Sequence, residues 1–307
     1  MRALIVTSMY PSPLRPGWGV FVRDQVEALR KLGDVEVEVV AVPPDGAGAY
    51  LHAARNVRRH HGRGRVDIVH AHFGLSAWPA LLASTRRRVV TLHGTDLAHP
   101  RSRAITLGAL RLYDLTATVS SELAGRVPAW AHRRDVAVLP CGVDMERFQP
   151  RPRTEARAVL GLDPHAPYLL FPADPARPEK RYERARQLAG DVPLLVLKDV
   201  DPDQVPVWVN AANAVLVPSE REGFGLAVLE ALACDVPVLA TPVGVAPAAL
   251  DGVAGAHCEP FDVSEWSAAL APHLASDDPR IEGRARAERY SADRMAARVL
   301  EAWRGLL

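Results

Sequence analysis

Short apolar runs rich in β-branched residues alternate with segments of helical spacing along the whole chain. In the first half, residues 4–8, 35–42, 67–72, 89–93, 116–119 and 136–139 read as strands. Between the first two, residues 20–31 put Val22, Val26 and Leu29 on one face at spacings of four and three, the period of an amphipathic helix. Val39 to Val42 and Val89-Val90 lack the polar alternation of a half-exposed strand, so these strands are expected to be covered on both faces. Strands that alternate with helices predict a parallel, doubly wound α/β sheet. A second series follows Pro150, with strands at 168–171, 194–197, 214–217, 238–240 and 256–258 and helices at 179–189, 224–233 and 263–274. The last stretch, 291–307, reads as an amphipathic helix with Ser291 placed to cap it.

The proline-rich, charged segment Gln149-Pro150-Arg151-Pro152-Arg153 has the character of an inter-domain linker. A hinge over 143–153 is therefore expected between one α/β domain at 1–143 and a second at 144–290. The helix 291–307 can pack back on the first domain. A chain of 307 residues has the length of two domains. With 48% hydrophobic and 24% charged residues, a disordered or fibrous chain is excluded. Three cysteines, Cys141, Cys234 and Cys258, without C-x-x-C spacing exclude a disulfide scaffold or zinc ribbon. They suit a reducing compartment, and a cytoplasmic location is expected. No apolar run approaches the roughly 18 residues of a spanning helix. Met1 to Val6 enters a strand directly, without a signal-peptide pattern. The net charge of +1 hides an asymmetry: residues 1–143 carry 19 basic and 11 acidic side chains, the remainder 18 and 25. The first half is thus expected to meet something anionic.

Open parallel sheets bind ligands beyond the carboxyl ends of their strands, and two facing sheets would form a deep cleft. After the strand 214–217 comes Pro218-Ser219-Glu220-Arg221-Glu222-Gly223-Phe224-Gly225-Leu226, opening a helix. Gly223 and Gly225 allow close backbone approach, and the amides of Phe224, Gly225 and Leu226 suit a phosphate at a helix start. Glu222 stands just before that start. Glu230, the sole charged residue in 224–233, is expensive to bury alone and is expected to face a polar cavity or a ligand hydroxyl.

The spacing Glu222-x7-Glu230 within E-G-F-G-L-A-V-L-E-A-L-A resembles the donor-site motif of retaining glycosyltransferases of the GT-B fold, family four. Pro140-Cys141-Gly142-Val143-Asp144 through Pro150, the segment Ala211 to Ser219, and Asp235 to Gly244 resemble further motifs of that family in the same order. The resemblance implies two Rossmann-like domains facing across a cleft, and a UDP- or GDP-type nucleotide-sugar donor on the second. It implies that Glu222 bonds hydroxyls of the transferred sugar, Glu230 the ribose hydroxyls, and the amides after Gly223 the diphosphate. Lys180, and less directly Arg177, would neutralise the leaving group. The spacing here departs from the family's G-R-x-x-x-x-K, with Arg177 three residues before Lys180. A cation at a helix start is disfavoured by the dipole, which favours a bound anion there. His93, at the end of the strand 89–93, would lie beside the reacting sugar, and Gly19 in Pro16-Gly17-Trp18-Gly19 would approach phosphate or acceptor. As a G-x-G-x-x-G fingerprint that loop fails, because position 22 is Val.

No carboxylate-rich or H-E-x-x-H pattern accompanies His70, His72 and His93, so no metal and no cofactor beyond the co-substrate are expected. The resemblance implies transfer to a glycan, lipid-linked or small-molecule hydroxyl by front-face attack, in cell-envelope polysaccharide synthesis or related chemistry. A nucleotide-sugar epimerase on the same fold and a non-catalytic sugar-nucleotide or glycan-binding protein remain open alternatives. The basic run Arg55, Arg58, Arg59, Arg63, Arg65 is either a solvated face or a contact with anionic membrane. It lacks the interleaved aromatics of a nucleic-acid site. The segment between 197 and 214 is short for the family, which usually fits a helix and a strand there near the base.

Overall fold

The computed structural model describes residues 1–43 and 46–307. They divide into two compact units, Met1–Gly142 with Ala292–Leu307, and Val143–Ser291.

In the first unit six parallel strands form one sheet: β1 Arg2–Thr7, β2 Glu36–Ala41, β3 Val66–His72, β4 Thr85–Leu92, β5 Leu115–Thr118 and β6 Ala137–Val138. Their order is β2-β1-β3-β4-β5-β6. The chain winds one way from β1 to β2 and the other way from β3 onward. The switch point, where a crevice opens at the strand ends, therefore lies between β1 and β3. The helix Val20–Lys31 lays Val22, Val26 and Leu29 on Ile5 and Ile68. The C-terminal helix Ala292–Arg304 contributes Ala296, Val299, Leu300 and Trp303 to the same core. A fully buried side chain of this kind contributes about 1.5–3 kcal/mol, so this helix belongs to the first unit although 149 residues of the second precede it in the chain. The amide of Val143, where the chain enters the second unit, donates to the carbonyl of Tyr290, where it leaves.

Strand β4 begins four residues before the sequence expectation of 89. Thr85 to Arg88 carry three arginines, yet the strand stays paired with β3. Arg87 donates to the carbonyl of Leu306 and Arg88 to that of Ala83, so their charged ends find partners at the edge of the core.

The second unit holds β7 Leu169–Phe171, β8 Leu194–Val196, β9 Ala214–Val217, β10 Val238–Ala240 and β11 His257–Cys258, all parallel, in the order β11-β10-β9-β7-β8. Here the switch point falls between β7 and β9. Leu169, Phe171, Leu216, Leu239, Trp266 and Leu270 form its core. Two expectations need correction. The helix expected over 179–189 is broken: a 3-10 turn, Pro178–Lys180, ends at Arg181, whose φ of 57° stops it before the helix Tyr182–Ala189. The helix expected from 224 starts at Leu226, because Gly225, with φ of 96°, turns the chain there. The short segment between 197 and 214 keeps a helix, Val205–Ala211, and among the described residues has no strand.

Candidate functional site

At the switch point of the second sheet, the loop after β7 carries Lys180 and the loop after β9 carries Glu222. They lie 42 residues apart in sequence, and the order β9-β7 brings them together. Lys180 Nζ donates to Glu222 Oε1 at 2.6 Å and Oε2 at 2.7 Å. Ser219 Oγ donates to Oε1 at 2.7 Å. The Glu222 side chain is 8% exposed and that of Lys180 15%. A nearly buried ion pair of this kind survives only with good geometry and added hydrogen bonds, which the two short Nζ contacts and Ser219 supply. The loops are tied by their backbones too, since the amide of Glu220 donates to the carbonyl of Glu179.

Behind Glu222 the chain is held by a close approach. Gly244 has φ of 62°, and a Cβ there would sit 2.4 Å from the carbonyl oxygen of Phe224 and 2.9 Å from Glu222 Cβ. The amide of Val245 donates to that same carbonyl. Glycine is required at 244 so that the loop after β10 can brace the loop carrying Glu222. The helix Leu226–Ala233 then begins without a side-chain cap, leaving its first amides without partners inside the helix. Gly223, Phe224 and Gly225 lead into this helix start at Leu226. Phe224 itself is buried, edge-on to Tyr290 at 6.2 Å.

Arg177 is not drawn into this cluster. Its guanidinium pairs with Glu179 at 2.8 Å and its side chain is 52% exposed. Glu230 is half-buried on the helix Leu226–Ala233. Burial pushes the neighbouring Cys234 thiol up to about 12, and the charge of Glu230 adds to that rise.

The first unit gathers a second polar cluster at the ends of its strands. His70 and His72, on one face of β3, stack at 4.5 Å, and His72 stacks on His93 at 5.2 Å. His93 lies against Phe73 at 4.5 Å and Phe21 at 5.0 Å. Its backbone is held by Asp96, whose carboxylate accepts from the amides of His93 and Gly94. Burial lowers the pKa of all three histidines, that of His72 to about 3, so all are neutral near pH 7. Gly19 has φ of 74°, and a Cβ would lie 2.2 Å from the carbonyl carbon of Met9. Its glycine is required by the loop's own closure on the end of β1. At Gly17 a Cβ would meet nothing within 4 Å. No group of three or more His, Cys, Asp or Glu is arranged to hold a metal ion among the described residues.

Two family models match: Glycosyltransferase Family 4 over residues 20–147 and Glycosyl transferases group 1 over 167–276. A D-inositol 3-phosphate glycosyltransferase of Mycobacterium sp. (strain KMS) is 32% identical over 337 residues, covering 92% of this chain and 74% of the relative. The chain belongs to the group 1, family 4 glycosyltransferases. It is a GT-B transferase with two parallel-sheet α/β domains. An enzyme of the same name from Pseudarthrobacter chlorophenolicus is 28% identical over 404 residues, covering 99% of this chain and 95% of that protein. That alignment is longer than the chain, which therefore meets it with gaps. The structure of Anabaena Alr3699/HepE in complex with UDP-glucose superposes with a TM-score of 0.73 at 15% identity, covering 99% of this chain and all of that one.

For this glycosyltransferase, sequence reasoning passed over two residues that the structure puts in contact with the expected ones. Ser219 stands two residues past the end of β9 and is buried against Glu222. Gln25 is a polar residue on the buried face of Val20–Lys31, between Val22 and Leu29, and its amide reaches His72. A polar side chain at a core position of an amphipathic helix was the available signal for Gln25.

Proposed function

We propose that this glycosyltransferase moves a hexosyl group from a UDP- or GDP-type sugar to a hydroxyl acceptor with retention of anomeric configuration. The observation that carries this reading is the Lys180–Glu222–Ser219 cluster beside an uncapped helix start at the switch point of the second sheet. In the free enzyme the cation and the carboxylate neutralise each other. When a donor arrives, the Lys180 ammonium turns to a diphosphate oxygen and Glu222 accepts from hydroxyls of the sugar. A charge-assisted hydrogen bond of this kind contributes roughly 1.5–3 kcal/mol. The amides of Phe224, Gly225 and Leu226 hold the diphosphate, and Glu230 accepts from the ribose. Arg177, exposed and paired with Glu179 in the free enzyme, would add positive charge near the phosphates only on leaving that partner. By the family resemblance, His93 is assigned a contact with the reacting sugar.

As the C1–O bond to the diphosphate breaks, the acceptor oxygen bonds to C1 on the same face and its proton passes to the departing diphosphate. No protein nucleophile is needed in that step, and no cofactor is needed beside the co-substrate. Cations and helix amides that stabilise charge developing on the leaving group act where it matters for rate. The UDP-glucose complexed with HepE and the D-inositol 3-phosphate for which the relatives are named supply the first donor and acceptor to try. Glycan and lipid-linked hydroxyls are the other acceptor classes. The exposed Arg55, Arg58, Arg59, Arg63 and Arg65 offer a peripheral contact for an anionic membrane carrying such lipids. Sedimentation with anionic and with neutral vesicles tests it, and equal binding to both would remove it.

Mass spectrometry of the protein with UDP- and GDP-sugars and these acceptors tests the main reading. The expected result is one hexose added to an acceptor, with free nucleoside diphosphate released. NMR of the product should show the donor's anomeric configuration. Glu222→Gln and Lys180→Ala should each abolish most of the turnover. Full activity in Glu222→Gln would overturn the assignment, and an inverted product would overturn retention.

A further inference from the structure

The histidine cluster is wired as well as stacked, and the wiring decides which proton His93 offers. The indole N–H of Trp303 can only donate, and it lies 3.3 Å from Nδ1 of His70. A neutral His70 must therefore carry its proton on Nε2, which donates to Thr91 Oγ1 at 2.7 Å. That arm is closed on itself. A second arm starts at Gln25, 7% exposed, whose amide nitrogen lies 3.1 Å from Nε2 of His72. An amide nitrogen donates, so Nε2 of a neutral His72 accepts, and its proton sits on Nδ1. That proton points at Nε2 of His93, 3.0 Å away. His93 Nε2 is thus an acceptor, and the ring's single proton is left on Nδ1. Among the described residues Nδ1 of His93 has no hydrogen-bond partner, and it is not one of the sealed polar atoms that lack one. It opens toward solvent or ligand.

We propose that Gln25 is a positioning residue which, through His72, holds His93 as its Nδ1–H tautomer, so that His93 meets its ligand as a hydrogen-bond donor to an oxygen atom and not as a base. Each side chain along this arm is held in place. His72 is clamped between the rings of His70 and His93, and His93 lies on Phe73 and Phe21. The complementary ligand atom is a hydroxyl or phosphate oxygen. That this oxygen belongs to the transferred sugar rests on the reading of His93 above, whereas the tautomer does not. The opposite wiring, with the Gln25 carbonyl oxygen toward His72, would reverse every proton in the arm and leave Nδ1 of His93 as a bare acceptor.

Long-range proton–nitrogen NMR of the full chain, labelled with ¹⁵N-histidine, separates the two. The expected spectrum has His72 and His93 protonated on Nδ1, and His70 protonated on Nε2 as an internal reference. His93 protonated on Nε2 in the wild type would overturn the proposal. In Gln25→Leu, His93 should lose its single tautomer and show a mixture, while the His70 signals stay put. Turnover should fall about two- to tenfold, the worth of one neutral hydrogen bond. Should Gln25→Leu not fold, His72→Phe keeps the stacked ring, removes the donor to His93 and should show the same mixture. An unaltered His93 tautomer in either variant would sink the role given to Gln25 and His72. If instead the tautomer is as stated and His93→Ala keeps full turnover, the wiring stands and the sugar contact falls.

Discussion

Acidification from pH 7 to 5 should destabilise the first unit through His70 and His72. Both side chains are fully buried. Burial holds their pKa below the ordinary 6.5, that of His72 at about 3. The unfolded chain takes up these protons near pH 6.5 and the folded chain does not. Between pH 6.5 and about 3 the unfolded state therefore binds more protons, and stability falls as pH drops through that window. His72 costs about 1.4 kcal/mol per pH unit below 6.5, which is about 2 kcal/mol from pH 7 to 5, and His70 adds to it in the same sense. Against a typical stability of about 5–15 kcal/mol that is a large share. Asp96 works in the opposite sense, because burial raises its pKa and acid favours its folded form. The clean quantity is therefore the pH 7-to-5 difference in wild type minus that in His72→Phe. Urea titrations read on the methyl signals of Ile5 and Ile68, both in the core of this unit, report it without interference from the second unit. About 2 kcal/mol of acid sensitivity should vanish with His72. An unchanged pH difference in the variant would refute the claim that His72 is kept neutral by burial.

In the second unit, Lys180→Ala leaves the Glu222 carboxylate nearly buried with its cation gone. It should cost about 3 kcal/mol in urea melts, most of which Lys180→Met/Glu222→Leu restores; a single variant as stable as wild type would show the pair is solvated. Gly244→Ala forces a Cβ to within 2.4 Å of the Phe224 carbonyl oxygen at a positive φ. It should lower stability by about 1–3 kcal/mol and weaken nucleotide-sugar binding as Glu222 shifts, and an unmoved melting temperature would count against the bracing. Arg153, 1% exposed, donates to the carbonyls of Ala212 and Pro279 and to Asp278, and burial lowers its pKa to about 10. Arg153→Met should cost at least about 2 kcal/mol, because those carbonyls lose their donor; a neutral result would mean water replaces it.

The parts of this fold legible in the sequence are those that local pattern controls. Short apolar runs marked most strands, as at Leu169–Phe171 and Ala214–Val217, since a strand covered on both faces has no polar alternation to hide it. The arginine-bearing start of β4 escaped, because its pairing with β3 is a tertiary fact that Arg86 to Arg88 contradict locally. The break at Arg181 escaped for a related reason: nothing in Glu-Lys-Arg-Tyr announces a left-handed residue. The chemistry divides in the same way. Glu222 and Gly225 could be picked out from their places after a strand and Lys180 from the family resemblance, but the ion pair between loops 42 residues apart depends on β9 lying beside β7, and strand order is not written in either loop. The histidine arm depends likewise on β1 lying between β2 and β3, which lets the helix after β1 present Gln25 to the end of β3. Each sheet reverses its winding at one place, and at each such place a side chain from one loop or helix meets a partner from a strand or loop distant in sequence. The reversal leaves the strand ends without a crossing connection above them. Polar side chains gathered there can be buried against one another and still open to a ligand. That geometry explains why both clusters, Lys180 with Glu222 and Gln25 with His72 and His93, sit at the reversals rather than elsewhere along the sheets.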